Sequence, residues 1–262
     1  MGRASRTQNT FTMITIVKIG GAVLENEQSL NQFILSFSQL KGPKVLVHGG
    51  GKTATQLADK LDIPSNFIVG RRITDQAMLD VVVHSYSALN TQLVAKLKGV
   101  GCLSLGITGA SLGLIESAKR PVNSIDYGFV GDVKAVDATT LLDLMDKDLI
   151  PVISPITADK NGQLLNTNAD TIAAEIAKAI AKKTACKLVY AFEQDGVLGE
   201  IGKQDSLVPE LSKGDFTEMV MSGAVSDGMV PKLTNAMEAK ANGVSHVSIT
   251  SFKSLEGGTL VV

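Results

Sequence analysis

Aromatic side chains make up only 4% of the 262 residues, tryptophan is missing altogether, and the chain carries two cysteines and three histidines. Two thiols cannot form a disulfide framework. Cys102 and Cys186, each at the edge of a strand-like run, lack metal-ligand spacing and read as reduced, buried thiols. His48, His84 and His246 are not spaced for a metal either. No glycine loop of the Gly-x-x-x-x-Gly-Lys-Ser/Thr form occurs, which argues against a P-loop enzyme, and the histidine spacing argues against a zinc hydrolase. A dinucleotide fingerprint is incomplete as well, because Gly49-Gly50-Gly51 does not open a helix as Gly-x-Gly-x-x-Gly. Charge of one sign is also lacking: 25 basic residues face 26 acidic ones, net -1, so no extended basic surface awaits nucleic acid. No run approaches the ~18 apolar residues of a membrane span, so no membrane partner is expected and the cytoplasm is the expected location. Residues 1–12 have no apolar segment of a secretory signal and are expected to be a disordered extension, with Met13 as a second candidate start.

What is present is a lysine inside an apolar run. In Ile14-Thr15-Ile16-Val17-Lys18-Ile19-Gly20-Gly21, a buried-strand pattern is broken by one charge, and an unpaired ammonium in a low-dielectric interior costs several kcal/mol or loses its proton. Lys18 therefore needs an anion. The glycines that follow leave backbone N–H groups free to approach that anion closely. The device recurs at Val45-Leu46-Val47-His48-Gly49-Gly50-Gly51-Lys52, and two such strand exits point to two anionic groups.

Strand-like runs fall near residues 14–19, 44–48, 102–107, 149–154, 187–192 and 245–250, and helical spacing fills most of the stretches between them. That alternation predicts a parallel sheet with helices on both faces. The glycine-punctuated segment Tyr127–Ala135 is expected to be a hairpin outside the regular winding. The longest helical pattern runs from Asp75 to Lys98. Its apolar set Met78, Val82, Tyr86, Leu89, Leu93 and Leu97 is widened by Leu79, Val83 and Val94, an arc suited either to a central helix or to one shared with a second subunit. Further helices are expected from Asn168–Asp170 to Lys182–Lys183, and from Asp227 to Gly243 with Pro231 in the first turn. The only plausible division lies near Asn166, giving segments 13–165 and 166–262.

Four clusters stand where a strand or loop hands over to a helix: Lys18 with Gly20 and Gly21; Gly49-Gly50-Gly51; Asn166-Thr167-Asn168-Ala169-Asp170; and Asp227-Gly228-Met229-Val230-Pro231-Lys232. In parallel α/β sheets the ligand crevice lies at the carboxyl ends of the strands, so these clusters can converge. Each alone has an ordinary reading. Gly-Gly after a strand is a tight turn, Asn168 and Asp170 are helix caps, Lys232 is a solvated helix residue, Arg71 and Arg72 form a surface pair, and His48 is a satisfied core histidine.

Taken together and in this order, with Gly70-Arg71-Arg72-Ile73-Thr74, the clusters resemble the amino acid kinase family over Met13 to Val262, and within it the kinases that act on N-acetylated glutamate. The resemblance implies an open, mainly parallel sheet sandwiched between helix layers, a three-layer αβα fold. Residues 13–165 would hold the acyl-amino acid and mediate dimerisation, and residues 166–262 would hold ATP. It implies ATP-dependent phosphorylation of the side-chain carboxylate of N-acetyl-L-glutamate in arginine biosynthesis, with Mg²⁺ held mainly by the nucleotide. By the same resemblance Lys18, Lys232, Asp170 and Gly21 would be catalytic. Gly50, Gly51, Arg72, Asn166 and Asn168 would bind the acyl-glutamate, the arginine taking its α-carboxylate, and Gly20, Gly49 and Gly196 would contact the nucleotide. No resident metal ligand is implied.

Two stretches depart from the family pattern. Ala191-Phe192-Glu193-Gln194-Asp195-Gly196-Val197-Leu198 replaces a Thr/Ser-Asp-x-x-Gly-Val-Leu run near the nucleotide. Gly106-Ile107-Thr108-Gly109-Ala110-Ser111-Leu112-Gly113 carries serine where an acid is usual and leucine where a glycine is. The second departure leaves N-succinyl-L-glutamate or another N-acyl amino acid open as the substrate. Family members inhibited by arginine carry an additional N-terminal helix that joins dimers into a ring. The dozen residues ahead of the first strand show no amphipathic pattern, so a homodimer without arginine feedback is expected.

Overall fold

Every residue of Ile14–Ile19 is buried, which a strand achieves only when both of its faces are covered. A computed structural model describes residues 13–68, 70–199, 203, 206–225 and 229–262; the expectations for residues 1–12 and for Asp227 and Gly228 lie outside them. The chain runs β1 (Ile14–Ile19), α1 (Gly21–Glu25), α2 (Glu27–Gln39), β2 (Lys44–His48), α3 (Gly51–Lys60), β3 (Phe67–Ile68), β4 (Arg71–Arg72), α4 (Gln76–Gly99) and β5 (Ser104–Thr108). It continues through β6 (Ile115–Lys119), β7 (Val130–Val136), α5 (Ala138–Met145), β8 (Ile150–Ser154), β9 (Ile156–Ala158), β10 (Leu164–Thr167), α6 (Ala169–Ala181) and β11 (Cys186–Phe192). The last elements are β12 (Glu210–Leu211), α7 (Lys213–Met221), α8 (Val230–Ala241), β13 (His246–Ser251) and β14 (Thr259–Val261).

The main sheet has eight strands in the order β12-β14-β13-β11-β1-β2-β8-β5. From β13 to β5 all pairings are parallel, while β14 joins β13 antiparallel. Helices cover both faces, giving the expected αβα layering, and the sheet draws strands from both sides of residue 166. Strand parity sorts the core. Ile14 and Ile16 pack with Ile172, Ile176 and Ile180 of α6, whereas Val17 and Ile19 pack with Phe33 and Phe37 of α2 and Leu93 and Leu97 of α4. Burying each of these side chains is worth roughly 1.5–3 kcal/mol. Lys18 shares the parity of Ile14 and Ile16 and therefore faces the α6 layer.

The second buried strand also carries a lysine. Lys44 Nζ donates to the carbonyls of Phe37, Ser38 and Leu40 at 3.1, 3.1 and 2.7 Å. It thereby caps the C-terminal turn of α2, where the helix dipole favours a cation. Burial still lowers its pKa.

Two expectations are corrected. The strand expected at 102–107 starts at Ser104, because Gly101 (φ 80°) and the Cys102 N–H bonded to Leu97 carry the turn that leaves α4. Tyr127–Ala135 is not a hairpin. Tyr127 and Phe129 bond to the backbone of Thr74, and only from Val130 does the segment become β7, which lies antiparallel to β6 and parallel to β10 in a small closed barrel of β10, β7, β6 and β9. Gly128 makes the Thr74 contact possible: its φ is 70°, and a Cβ there would lie 2.2 Å from the Thr74 carbonyl oxygen. Helix α4 begins behind Asp75, whose carboxylate accepts from Met78 N at 2.8 Å. Pro231 sits in the first turn of α8, and Gly243 (φ 90°) lies just beyond the end of that helix. No helix among the described residues is long and apolar enough to cross a membrane.

Candidate active site

The carboxyl ends of β1 and β2 open beside the amino end of α6 around a cavity of about 230 Å³. Lys18, whose side chain leaves β1 on the α6 face, meets Asp170 in the first turn of that helix, Nζ to Oδ1 at 2.7 Å. Only 8% and 16% of the two side chains remain accessible. Burial alone would raise the Asp170 pKa; the ammoniums of Lys18 and Lys232 outweigh it and hold the carboxyl below its ordinary value. Burial lowers the pKa of Lys232, and Lys18 adds to the effect while Asp170 and then Glu193 oppose it. Lys232 comes from the first turns of α8 and its ammonium lies 5.5 Å from the Phe192 ring centroid. Two cations are thus held against one acid at a strand exit. Tyr190, paired in register with Lys18 on the neighbouring strand β11, ties the arrangement down by donating its hydroxyl to the Asp170 carbonyl at 3.0 Å.

The glycine exit of β2 is shaped by a histidine. His48 is buried, its Nδ1 donates to the Gly49 carbonyl at 2.7 Å, and its Nε2 accepts from Asn90 Nδ2 at 3.1 Å; that amide also donates to the Val152 carbonyl. Burial drives the imidazole pKa down to about 4, with Lys18 contributing and the Gly49 bond opposing, so the ring is neutral near pH 7. In a planar trans peptide C=O and N–H point opposite ways. By drawing the Gly49 carbonyl toward itself, His48 turns the Gly50 N–H away from the ring. His48 is thus the satisfied core histidine the sequence suggested, and it also shapes the glycine loop. A Cβ on Gly50 would lie 2.8 Å from the Tyr86 ring, whereas one on Gly51 or Gly21 would meet nothing within 4 Å. Both of these glycines line the cavity and open helices, α3 and α1, whose first N–H groups have no partner inside the helix.

On the far wall Arg72 is buried, not a surface side chain as a tandem arginine suggests. Its guanidinium donates to the Gly51 carbonyl (2.7 Å), Thr55 Oγ1 (2.8 Å) and Ser65 Oγ (2.9 Å) and lies over the Phe67 ring. Among the described residues no carboxylate is within ion-pair distance of it. Burial lowers its pKa, as expected for a cation awaiting an anion. Asn166 donates to Thr74 Oγ1 at 3.1 Å, and Asn168 caps α6 by accepting from Thr171 N at 3.0 Å; both line the cavity.

Of the residues expected at a site, Lys18, Gly21, Gly49, Gly50, Gly51, Arg72, Asn166, Asn168 and Asp170 line this one cavity. Lys232 acts on it through its charge. Gly20 directs its N–H into the sheet, to the Ala191 carbonyl at 3.3 Å. Gly196 lies elsewhere, where a Cβ would strike Thr259 and Leu207 at 2.6 Å. Tyr190, Asn90, Thr55 and Ser65 were not singled out in the sequence; only Tyr190 carried a signal, a hydroxyl in a buried strand beside Lys18. Ser111, at one of the two departures from the family pattern, closes its own turn on Thr108 and does not line the cavity. Chemically the site joins a pair of ammoniums, amide-rich loops, the amino ends of α1, α3 and α6 and a guanidinium, a set suited to two anions and a group in transit between them.

Comparison with known proteins agrees. Residues 13–251 match the family described as "Amino acid kinase family". The chain is 46% identical over 251 residues to a Bacteroides fragilis protein named acetylglutamate kinase, covering 95% of this chain and 96% of that one. It is 48% identical over 238 residues to the Bacteroides thetaiotaomicron protein of the same name, covering 90% and 93%. The fold is shared with carbamate kinase from Giardia lamblia bound to AMP-PNP, with a TM-score of 0.71, 11% identity and coverage of 98% and 99%.

Proposed function

The chain belongs to the amino acid kinase family, and from that premise we infer that it is a phosphotransferase carrying the γ-phosphoryl group of ATP to the side-chain carboxylate of N-acetyl-L-glutamate, a step of arginine biosynthesis. The observation that carries the reading is the buried Lys18–Asp170 pair, with Lys232 coupled to both, beside a guanidinium-walled cavity of substrate size.

The chemistry needs no general base. A side-chain carboxylate with a pKa near ~4.3 is already ionised at pH 7, so its oxygen attacks the γ-phosphorus as the bond to the ADP oxygen breaks, giving an acyl phosphate and ADP. What the reaction needs is relief of repulsion between an anionic nucleophile and an anionic donor, together with in-line alignment. In this reading Lys18 and Lys232 flank the phosphoryl group, Asp170 holds both ammoniums, and Gly21 gives a backbone N–H to the transferring oxygens. Arg72 takes the α-carboxylate, while Gly50, Gly51, Asn166 and Asn168 complete the acyl-glutamate site. Mg²⁺ would enter on the phosphates of the nucleotide, since Asp170, the one acid lining the cavity among the described residues, is already committed to Lys18. Residues 13–165 form the acyl-amino-acid part and residues 166–262 the nucleotide part, with Gly20, Gly49 and Gly196 on the nucleotide side. The protein works in the cytoplasm as a homodimer. Support for the dimer comes from the apolar groove between α3 and α4, where Leu61 is left 54% exposed.

Incubation with Mg²⁺, ATP and N-acetyl-L-glutamate in the presence of hydroxylamine tests the assignment. Hydroxamate should form in proportion to ADP. ADP without hydroxamate, or no dependence on the acyl-glutamate, refutes it.

A further inference from the structure

The cavity holds one cation more than the reaction above uses. Lys18 and Lys232 serve the phosphoryl group and Arg72 the α-carboxylate. Arg71, next to Arg72 on β4, is half-buried and lines the same cavity, yet its guanidinium makes no hydrogen bond or ion pair among the described residues. Successive strand residues leave on opposite sides. Arg72 turns to α3, and the groups that act on the Arg71 charge are Arg120, Asp132 and Tyr127 on the side of the small barrel. Asp132 is not free to neutralise it. The carboxylate of Asp132 is gripped by Arg120, whose Nε lies 3.2 Å from each oxygen and whose Nη2 forms the ion pair. Arg71, Arg120 and Asp132 together leave one positive charge, partly desolvated, on the wall of a cavity built for an acylated amino acid. An acetyl methyl group gives such a guanidinium nothing. A carboxylate two methylenes beyond the acyl carbonyl would pair with it, and charge-assisted guanidinium–carboxylate contacts are among the stronger polar interactions available.

We propose that the site also phosphorylates N-acyl-glutamates whose acyl group ends in a carboxylate, N-succinyl-L-glutamate being the simplest, and that Arg71 binds that distal carboxylate. The reaction is unchanged: the glutamyl side-chain oxygen bonds to the γ-phosphorus, ADP leaves, and the succinyl carboxylate remains a spectator held in place. Arg71 thereby becomes the residue that sets acyl preference. The proposal rests on the kinase reading above and deepens it.

Hydroxamate trapping with N-acetyl- and N-succinyl-L-glutamate side by side, on the wild type, Arg71→Leu and Arg71→Lys, provides the test. For the wild type, kcat/KM with the succinyl substrate should lie within tenfold of the acetyl value or above it. In Arg71→Leu the succinyl-to-acetyl ratio of kcat/KM should fall by roughly 10- to 100-fold, the scale of one hydrogen-bonded charge pair, chiefly through KM; Arg71→Lys should lie between. A wild type more than tenfold poorer on the succinyl substrate overturns the proposal while leaving the kinase intact. So does a ratio unchanged within threefold in Arg71→Leu. Absence of turnover with both substrates overturns the kinase reading itself.

Discussion

Asp170→Asn isolates the charge on which the site is balanced. The asparagine keeps nearly the same volume and a hydrogen-bonding oxygen at the 2.7 Å contact with Lys18, so the perturbation is almost purely electrostatic. At an effective dielectric near 20, unit charges ~4 Å apart attract by about 4 kcal/mol, and deleting one partner of a buried pair costs roughly 3–5 kcal/mol. Because the amide retains part of the contact, the lower end applies, about 3 kcal/mol of unfolding free energy at pH 7. For the rate, the loss is that of one charge-assisted hydrogen bond orienting Lys18, roughly 1.5–3 kcal/mol or 10- to 100-fold in kcat. A second signature separates this from simple loosening. Burial lowers the Lys232 pKa and Asp170 is the leading group that raises it, so the variant should lose activity on the alkaline side at a lower pH than the wild type. In acid the sign reverses. The folded-state pKa of Asp170 is depressed, so its stabilising contribution is present above the unfolded value near ~3.9 and vanishes as pH falls through the folded one; the variant should lack that part of the acid sensitivity. Steady-state ADP release across pH with urea unfolding measures all four. A kcat within threefold of wild type and an unmoved alkaline limb would falsify the assignment of Asp170 as the shared counter-ion.

Lys232→Ala and Lys18→Ala should each lower kcat by roughly 10²-fold or more, as loss of one preorganised electrostatic group does; near-normal turnover of either variant removes that lysine from the mechanism. His48 has a folded pKa of about 4 against 6.5, a depressed cationic group, so it costs stability as pH falls below 6.5. Between pH 8 and pH 5 the wild type should lose about 2 kcal/mol from this source. His48→Gln should be less stable at pH 8 but flatter with pH, and an equal slope in urea titrations contradicts the buried neutral ring. Gly50→Ala forces a methyl to within 2.8 Å of the Tyr86 ring and should cost about 1–3 kcal/mol by overpacking. Gly51→Ala, with open space around its Cβ, should melt like the wild type and raise KM for the acyl-glutamate; matching stabilities in the two variants would deny the difference.

Strand and helix positions were legible wherever an apolar run ends in glycine or a cap. The expected 14–19 and 44–48 coincide with β1 and β2, and the helices around α4 and α6 differ from expectation by about one residue at most of their ends. Strands β6, β9 and β10 were not legible. Ile115-Glu116-Ser117-Ala118-Lys119 and its short barrel partners alternate weakly, and the barrel is closed by pairings between segments distant in sequence, β6 with β9 and β7 with β10. The candidate site followed the same division, with the residue types and their order readable at Lys18, Gly49–Gly51, Asn166–Asp170 and Lys232.

Chemistry at strand ends is local information, and the sequence by itself determined it: which residues are charged against an apolar background, and which glycines free the backbone beside them. Only the tertiary structure decided what each charge meets. Lys18 and Lys44 are both lysines in buried strands, and both need partners for the same physical reason. Parity and topology carry Lys18 to Asp170, 152 positions away, beside a cavity, while Lys44 is spent on three carbonyls at the end of α2. Arg71 and Arg72 are likewise identical neighbours in the sequence. One is pinned to α3 and the other is left unpaired on the wall, because adjacent residues of a strand leave it on opposite sides.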